Sequence, residues 1–348
     1  MPGLTVGTFN LNNLFSRFNF AGVAEEQAAS KAPDIEIKSR VDLPPVPPQP
    51  APPAAEAADR AAGFVEPNPS VREYRTYRGK LVQGKDPADT KLVADRLQQM
   101  NADVVALQEV EDIVTLRSFL RDYLPAGLYP YSLLIEGRDP RLIDVAVISK
   151  KPLGGVTSWQ FEPNPSHPER GPIFSRDLLE VEVLDERRRK LVTLYVNHLK
   201  SKYLDWRTPP AKQAAEIARS ATLRRLQAET VADVLKRRQR PSGKAIVLGD
   251  MNDSPGSEAL APFDGSLKDA VGKPVEQGGK PSYGKKPPPD TAWSHRFVAG
   301  GKAAYELFDQ IWVTSALAGN VKGSWVLRRK QLAGDGSDHD PVWIELEL

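Results

Sequence analysis

Apolar residues in this 348-residue chain recur in short runs separated by polar and helical stretches. Residues 342–348 alternate apolar and polar side chains, the pattern of a strand with one buried face. Continuous apolar runs at residues 104–107 and 245–248 instead predict strands that are buried on both faces. The predicted strands cover residues 4–10, 104–107, 131–135, 143–149, 178–184, 191–198, 245–248, 308–313 and 342–348.

Two helices can be placed by the residues at their ends. Asp86 is a typical N-cap and Pro87 suits the first helical position, and Val93 and Leu97 follow at helical spacing. A longer helix is predicted from residue 210 to about residue 238, where three basic residues favour the negative end of the helix dipole. Strand pairs mixed with separated helices indicate an α/β layered sandwich rather than a repeated βαβ unit.

One segment, from about residue 21 to residue 71, differs in composition from the rest of the chain. It is rich in Ala, Pro and Glu, with seven prolines between residues 44 and 53. Proline fixes φ and removes a backbone donor, so polyproline II or disorder remains. We therefore predict a disordered insertion here, and a shorter loop of the same kind at residues 273–290.

The overall composition excludes several classes of protein. The 47 Lys and Arg residues nearly balance the 45 Asp and Glu residues, which argues against binding driven by net charge alone. The chain has no cysteine, so it has no disulfide, thiolate metal site or cysteine nucleophile. No apolar run approaches a membrane span, and the N-terminus lacks the pattern of a signal peptide. We expect a cytoplasmic protein without a transmembrane segment.

Candidate chemistry concentrates in polar clusters that follow predicted strands. Rigid strand ends open to water are where layered α/β proteins usually carry ligand and catalytic groups. No nucleotide-binding glycine motif is present, so these clusters are the main functional signal. The clusters lie at residues 8–10, 108–110, 197–201, 249–254, 308–311 and 337–341.

The residue types in these clusters fit metal-assisted attack on a phosphate ester. Carboxylates and an amide oxygen at Glu109, Asp338 and Asn10 suit a hard cation such as Mg²⁺, with Mn²⁺ as a substitute. In the segment 250–252, the first and last side chains fall on the same face of a strand end. Histidines at strand ends can donate hydrogen bonds to phosphate oxygens.

The motifs TFNLNNLF, VVALQEVE, IDVAVISK, VNHLKSK, VLGDMNDSP, FDQIWVTS and SDHDPVW occur in this order. In order and spacing they resemble the endonuclease/exonuclease/phosphatase superfamily, the deoxyribonuclease-I-like hydrolases. The resemblance covers roughly residues 3–20 and 86–348. It implies a four-layer α/β/β/α sandwich with two packed sheets between helices. It also implies a single catalytic domain over residues 1–348, since the motifs run along the whole chain.

The resemblance also implies a role for each motif residue. Asn10 and Glu109 resemble metal-site residues of the family, and Asp338 a further metal or water ligand. Asp250 resembles the acid that deprotonates the attacking water. Asn252 resembles the residue that aligns this acid with the phosphate.

Two histidines resemble the family residues that face the scissile phosphate. These are His339, with Asp309 as the acid that accepts its other ring N–H, and His198. Asp144 is the candidate acidic partner of His198. Lys200 and Arg176 are candidates for binding substrate phosphate, although a surface position is an open alternative for Arg176.

The predicted function is therefore metal-dependent phosphodiester hydrolysis by in-line attack of water, with DNA or RNA as substrate. One alternative is a phosphatase or phosphodiesterase for a small phosphate ester, a phosphoinositide or a phospholipid head group. A second alternative is a catalytically idle binding module of the same fold.

Other polar groups have simpler interpretations. His167 and His295 are expected in surface loops, and the basic run at residues 328–330 in a solvated loop. The segment at residues 72–80 interleaves aromatic and basic residues, which is compatible with nucleic-acid binding, although a solvated surface is the simpler interpretation.

Overall fold

The structure is a computed structural model that describes residues 3–15, 84–204, 207–240, 242–278, 291–299, 302–330 and 335–348. All elements given below belong to the compact unit formed by residues 1–14 and 85–348. The predicted insertion at residues 21–71 and the segment at residues 72–80 lie outside the described residues.

The described part of the chain contains α-helices, β-strands and one 3₁₀ turn, Pro168–Arg170. The helices are α1 (Pro87–Met100), α2 (Ile113–Tyr123), α3 (Pro210–Arg238), α4 (Ala261–Asp264) and α5 (Ser315–Ala318). The strands are β1 (Gly3–Leu14), β2 (Val104–Val110), β3 (Tyr131–Leu134), β4 (Asp144–Ser149), β5 (Leu153–Ser158), β6 (Leu179–Leu184), β7 (Lys190–His198), β8 (Ala245–Asp250), β9 (Leu267–Asp269), β10 (Val275–Gly278), β11 (His295–Ala299), β12 (Lys302–Glu306), β13 (Asp309–Thr314), β14 (Val321–Arg328) and β15 (Val342–Glu347).

The strands form two large mixed sheets and a separate hairpin. The first sheet has the order β10-β14-β15-β1-β2-β4-β3, and the second has the order β5-β6-β7-β8-β13-β9. The hairpin consists of β11 and β12. Each large sheet contains a central parallel pair, β1 with β2 and β7 with β8, so the carboxyl ends of these paired strands lie side by side.

Alternate residues of the central strands face two different cores, which accounts for their continuous apolar runs. Val104 and Ala106 pack between the two sheets, whereas Val105 and Leu107 pack under α1 and α2. On the far side, the second sheet packs against α3 and α4. The layers are therefore helix, sheet, sheet and helix, and the predicted four-layer α/β/β/α sandwich is confirmed.

The ends of the two predicted helices agree with their sequence signals. The Asp86 side chain accepts a hydrogen bond from the Ala88 N–H at 2.8 Å, and Pro87 is the first residue of α1. Helix α3 ends at Arg238, the last of its three basic residues. None of the described helices is long and apolar enough to cross a membrane.

Several elements were not predicted from the sequence, namely the helices α2, α4 and α5, the 3₁₀ turn, and the strands β5, β9, β10, β11, β12 and β14. Strand β10 is exposed along its whole length, and β5 contains two glycines and no buried residue, so neither shows a clear apolar period. Strands β10 and β5 form through pairing with β14 and β6, which are distant in the chain, a contribution that local patterns do not contain.

The basic run at residues 328–330 is not a solvated loop, so that prediction is wrong for two of its three residues. Arg328 ends β14, and the Arg329 side chain is 1 % exposed. Both guanidinium groups contact the buried carboxylate of Asp340, at 3.2 and 3.0 Å, and Arg96 reaches the same carboxylate at 2.7 Å from α1. These arginines are buried because they share the buried negative charge of Asp340.

Candidate active site

The strand register brings polar residues of the second sheet together at one edge. His198, the last residue of β7, is paired with Asp250, the last residue of β8. Asp309, the first residue of β13, is paired with Asp250 from the other side because β13 is antiparallel to β8. Gly249 makes this edge possible, since its φ is 139° and a Cβ there would lie 1.9 Å from the Asn197 carbonyl oxygen.

Asp250 lies at the centre of the group. Its Oδ2 accepts a hydrogen bond from Asn10 Nδ2 at 2.9 Å, which crosses from the first sheet to the second. The same oxygen lies 3.4 Å from His198 Nε2 and 3.9 Å from His339 Nε2. Three of the residues predicted for the site therefore surround one carboxylate oxygen of a fourth, Asp250.

Asn252 supports Asp250 through its backbone. The Asn252 N–H donates to Asp250 Oδ1 at 2.8 Å, while its side-chain amide donates to the Leu199 carbonyl oxygen at 3.1 Å. Burial raises the pKa of Asp250, and the neighbouring charge of His339 works in the opposite direction. A carboxylate held in this way has a fixed orientation and an increased affinity for a proton.

His339 is oriented by Asp309. Its Nδ1 lies 2.6 Å from Asp309 Oδ2, and both side chains are buried. Burial by itself lowers the pKa of His339, but the charges of Asp309 and Asp250 outweigh it and raise the pKa to about 10. The imidazole is therefore protonated at neutral pH, with Nε2–H available as a donor.

His198 differs from His339 in its charge. Burial and the nearby Arg176 guanidinium place the pKa of His198 well below its ordinary value, so the ring is neutral at pH 7. Its Nδ1 is buried and has no hydrogen-bond partner among the described residues. Asp144, the predicted partner, instead accepts a hydrogen bond from the Gly137 N–H at 2.8 Å. The structure does not form the expected Asp144–His198 hydrogen bond.

The Glu109 carboxylate enters the site through an irregularity of β2. The β2–β4 register shifts between Gln108 and Val110, and Glu109 has a φ of 62°. Such a bulge redirects a side chain, and positive φ is costly for glutamate. Asn12 and Asn13 of β1 also have positive φ. The Asn13 N–H donates to Glu109 Oε2 at 3.0 Å. Sequence reasoning missed both asparagines, although Asn is the usual residue for this conformation.

These groups open onto one cavity of about 600 Å³, here called the catalytic cavity. Its lining includes Glu109, His198, Asp250, Asn252, Asp338 and His339. Asn10 is buried behind Asp250, and Asp309 behind His339.

The two predicted phosphate-binding residues lie in different places. Arg176 lines the catalytic cavity and is 3 % exposed, so the surface alternative is wrong. Its guanidinium pairs with Asp139 at 3.1 Å and donates to the Leu199 carbonyl at 3.0 Å. Arg141, which was not predicted, lines the same cavity and also pairs with Asp139, at 3.0 Å. Lys200 lines a neighbouring cavity instead.

His295 belongs to the site, contrary to the surface position predicted for it. Its ring stacks on Phe308 with centroids 4.9 Å apart, and its centroid lies 4.6 Å from that of His339. Its Nε2 lies 3.4 Å from Asp338 Oδ2. An isolated β-bridge between His295 and the distant His339 places it there, and the sequence signal for the β11–β12 hairpin was a Gly-Gly pair between two apolar segments. His167 is in an exposed loop, as predicted.

Comparison with known proteins identifies the family. The family model described as "Endonuclease/Exonuclease/phosphatase family" matches residues 82–339. The chain belongs to the endonuclease/exonuclease/phosphatase family. Members of this family are metal-dependent phosphoester hydrolases, so the chain is placed among enzymes of this general activity. A search of curated proteins found no match.

Solved structures share the fold of this family member. An endonuclease/exonuclease/phosphatase from Bacteroides vulgatus aligns with a TM-score of 0.53 and 15 % identity, covering 100 % of both chains. The mannosyl-6-phosphatase of Bacteroides thetaiotaomicron aligns with a TM-score of 0.51 and 15 % identity, covering 99 % of this chain and 100 % of that one. A humanized D. rerio TDP2 aligns with a TM-score of 0.50 and 14 % identity, covering 99 % of each chain. At these identities the likeness concerns the fold.

The residues of this family member fit a hard divalent cation. Burial raises the pKa of Glu109, and the charges of Asp338 and Asp250 raise it further, so three carboxylates that repel one another line the catalytic cavity. A divalent cation would relieve that repulsion. His295, Asp338 and His339 also place ligand atoms within 4.8 Å of one another. The proton on His339 disfavours this second set, because a metal-bound imidazole must be neutral.

Proposed function

We propose that this chain is a Mg²⁺-dependent phosphodiester hydrolase whose single catalytic domain cleaves DNA or RNA by direct in-line attack of water. The observation that supports this most is the set of contacts around Asp250. An amide, a neutral imidazole and a protonated imidazole all lie within 4 Å of its carboxylate, at 2.9, 3.4 and 3.9 Å. This arrangement combines a proton acceptor with phosphate-directed donors in one buried place.

Asp250 is the proposed general base. Its raised pKa favours the uptake of a proton from the attacking water. The Asn10 amide and the Asn252 N–H hold its two oxygens, so the carboxylate cannot rotate away from that water. The water oxygen then forms a bond to phosphorus while the bond from phosphorus to the leaving oxygen breaks.

The donors of the site are proposed to hold the phosphate. Protonated His339 donates from Nε2 while Asp309 fixes its Nδ1. The buried Arg176 guanidinium and the neighbouring Arg141 add positive charge to the lining of the catalytic cavity. His198, which is neutral, can donate one hydrogen bond without adding charge.

Glu109 and Asp338 are the proposed carboxylate ligands of the cation, with Asn10 as an amide ligand. Asn10 Oδ1 already accepts from the Asn12 N–H at 2.9 Å and retains one further lone pair. A bound Mg²⁺, or Mn²⁺ in its place, would neutralise negative charge on the phosphate.

The experiment is a matched set of hydrolysis assays with Mg²⁺, Mn²⁺ or EDTA. The substrates are plasmid DNA, RNA, bis-p-nitrophenyl phosphate and p-nitrophenyl phosphate. Cleavage of nucleic acid and of the diester supports the proposal. Cleavage of only the monoester, or of only the small diester, favours the small-ester alternative, and no turnover of any ester favours an idle binding module.

Two variants test the assigned roles in the same assays. Asp250→Asn and His339→Ala should each lower kcat by about 10³-fold or more, since each removes a group that acts on the reacting atoms. Circular dichroism and thermal unfolding verify that the variants are folded. A rate within about tenfold of the wild type for either variant would contradict the assignment.

A further inference from the structure

A second cavity, of about 340 Å³, adjoins the catalytic cavity. The two share three residues, Lys202, Tyr203 and Leu204, which follow β7. The first turns of α3 also line the second cavity. We call this cavity the lysine groove, and its charged lining residues are Lys200, Lys202, Lys212, Glu216 and Arg219.

The lysine groove has positive charge that its own residues do not neutralise. Lys202 pairs with Asp253 and Glu306, and Arg219 pairs with Glu216. Neither Lys200 nor Lys212 forms an ion pair with any residue that the structure describes. Burial and the guanidinium groups of Arg176 and Arg141 lower the pKa of Lys200, as expected where cations are crowded. An anionic ligand would relieve this crowding.

The first turns of α3, which line the groove, contribute no buried residue to the core. The buried residues of α3 begin only at Arg224, more than three turns after its first residue. Lys212, Glu216 and Arg219 follow one another at spacings of four and three residues and therefore share one face of the helix. This face is available to a ligand that continues out of the catalytic cavity.

An aromatic side chain stands where the two cavities meet. Tyr203 lines both cavities and is 65 % exposed. Lysines that follow a phosphate backbone, together with an exposed aromatic ring, form the usual surface for single-stranded nucleic acid. The bases of a duplex are already stacked on one another and are not available to such a ring.

We propose that the lysine groove binds the single-stranded segment of a polynucleotide that flanks the scissile phosphate, with its phosphates on Lys200 and Lys212 and a base on Tyr203. This inference rests on the proposed nuclease function and adds to it the substrate class and the direction in which the strand leaves the catalytic cavity.

The test measures binding of a labelled oligothymidylate of about 12 nucleotides by fluorescence anisotropy. It uses the Asp250→Asn background with Mg²⁺, so that the strand stays intact. The variant is Lys212→Glu. Its matched control is Lys236→Glu, because Lys236 is also an exposed lysine of α3 but lies outside both cavities.

Lys212→Glu should weaken binding about tenfold and reduce the salt dependence of binding by about 0.7 in log–log slope, the contribution of one phosphate contact. Lys236→Glu should stay within about twofold of the background. Tyr203→Ala should weaken single-strand binding about tenfold and leave duplex binding unchanged. Equal affinity with and without Lys212→Glu, or an equal loss in the control, would overturn the proposal.

Hydrolysis of bis-p-nitrophenyl phosphate separates the two proposals. This diester is too small to extend along α3, so Lys212→Glu in the otherwise wild-type chain should cleave it at a rate within about twofold of normal. If the wild-type chain cleaves no diester, the nuclease function fails, while the anisotropy result still decides whether the groove binds a strand.

Discussion

His339 and Asp309 are joined by a 2.6 Å contact between Nδ1 and Oδ2, although 30 residues separate them in the chain. Asp309 begins β13 of the second sheet, whereas His339 lies in the segment that connects β14 and β15 of the first sheet. The contact therefore ties the two sheets together at the edge that carries the catalytic cavity. It also holds the imidazole with Nε2 toward Asp250, 3.9 Å away.

Asp309→Asn should lower kcat on bis-p-nitrophenyl phosphate by about 10²-fold or more. The neutral amide removes the charge that keeps His339 protonated and allows the ring to take the wrong tautomer. KM should change much less than kcat, because the substrate still meets Arg176 and Arg141. A kcat within about threefold of normal, in a variant shown to be folded by circular dichroism, would mean that this contact is only structural.

Glu109→Gln should weaken the binding of Mg²⁺. The amide retains the shape of the side chain but removes one of the crowded carboxylates that favour a cation. In thermal unfolding, the wild-type Tm should rise as Mg²⁺ is added, and the variant should need at least about tenfold more Mg²⁺ for the same rise. Glu186→Gln is a suitable control, since Glu186 is an exposed hairpin residue. Identical Mg²⁺ titrations for wild type and Glu109→Gln would exclude Glu109 as a ligand.

Asp340→Asn should destabilise the fold by about 3–5 kcal/mol, measured by urea unfolding. Asp340 is fully buried and is the shared counter-ion of Arg96, Arg328 and Arg329. The variant therefore leaves buried guanidinium groups without their negative partner. Arg189→Gln, which breaks an exposed pair with Asp185, should lower the free energy of unfolding far less, because solvent screens that pair. A similar small loss for Asp340→Asn would contradict the role given to this carboxylate.

Asp177 should make the stability of the fold depend on pH. Burial raises its pKa from 3.8 to about 7 in the folded protein. Between these two values the folded state holds a proton that the unfolded state has released, so the free energy of unfolding falls as pH rises. Below about pH 4 both states hold the proton, and the penalty disappears.

The Asp177→Asn variant isolates this effect. An amide can still accept the hydrogen bond that Asp177 Oδ1 accepts from the Trp159 N–H at 2.9 Å, but it does not titrate. Urea unfolding at pH 5 and pH 8 should show that the wild type loses on the order of 2 kcal/mol more than the variant over this interval. If the free energy of unfolding fell equally in the two proteins between pH 5 and pH 8, Asp177 would be ionised in the folded state.

The sequence alone predicted which polar residues lie at strand ends, because each motif follows an apolar run that identifies its strand. Apolar runs such as residues 104–107 and 245–248 predict buried strands, and the polar residues that follow them fall at strand ends wherever the strands are placed. Asp86 and Pro87 likewise determine where α1 begins, since capping depends only on adjacent residues. The four-layer sandwich followed from these motifs through the family resemblance.

The positions of His295, Arg329 and Asp144 were decided only by the tertiary structure. His295 reaches the site through a β-bridge to the distant His339, and Arg329 is buried because Asp340 supplies a charge from another segment. Asp144 accepts from Gly137 because the local loop turns a backbone N–H toward it. Local sequence sets backbone preference and apolar period, whereas the partner of a buried polar group depends on which distant segment the fold brings within hydrogen-bond distance.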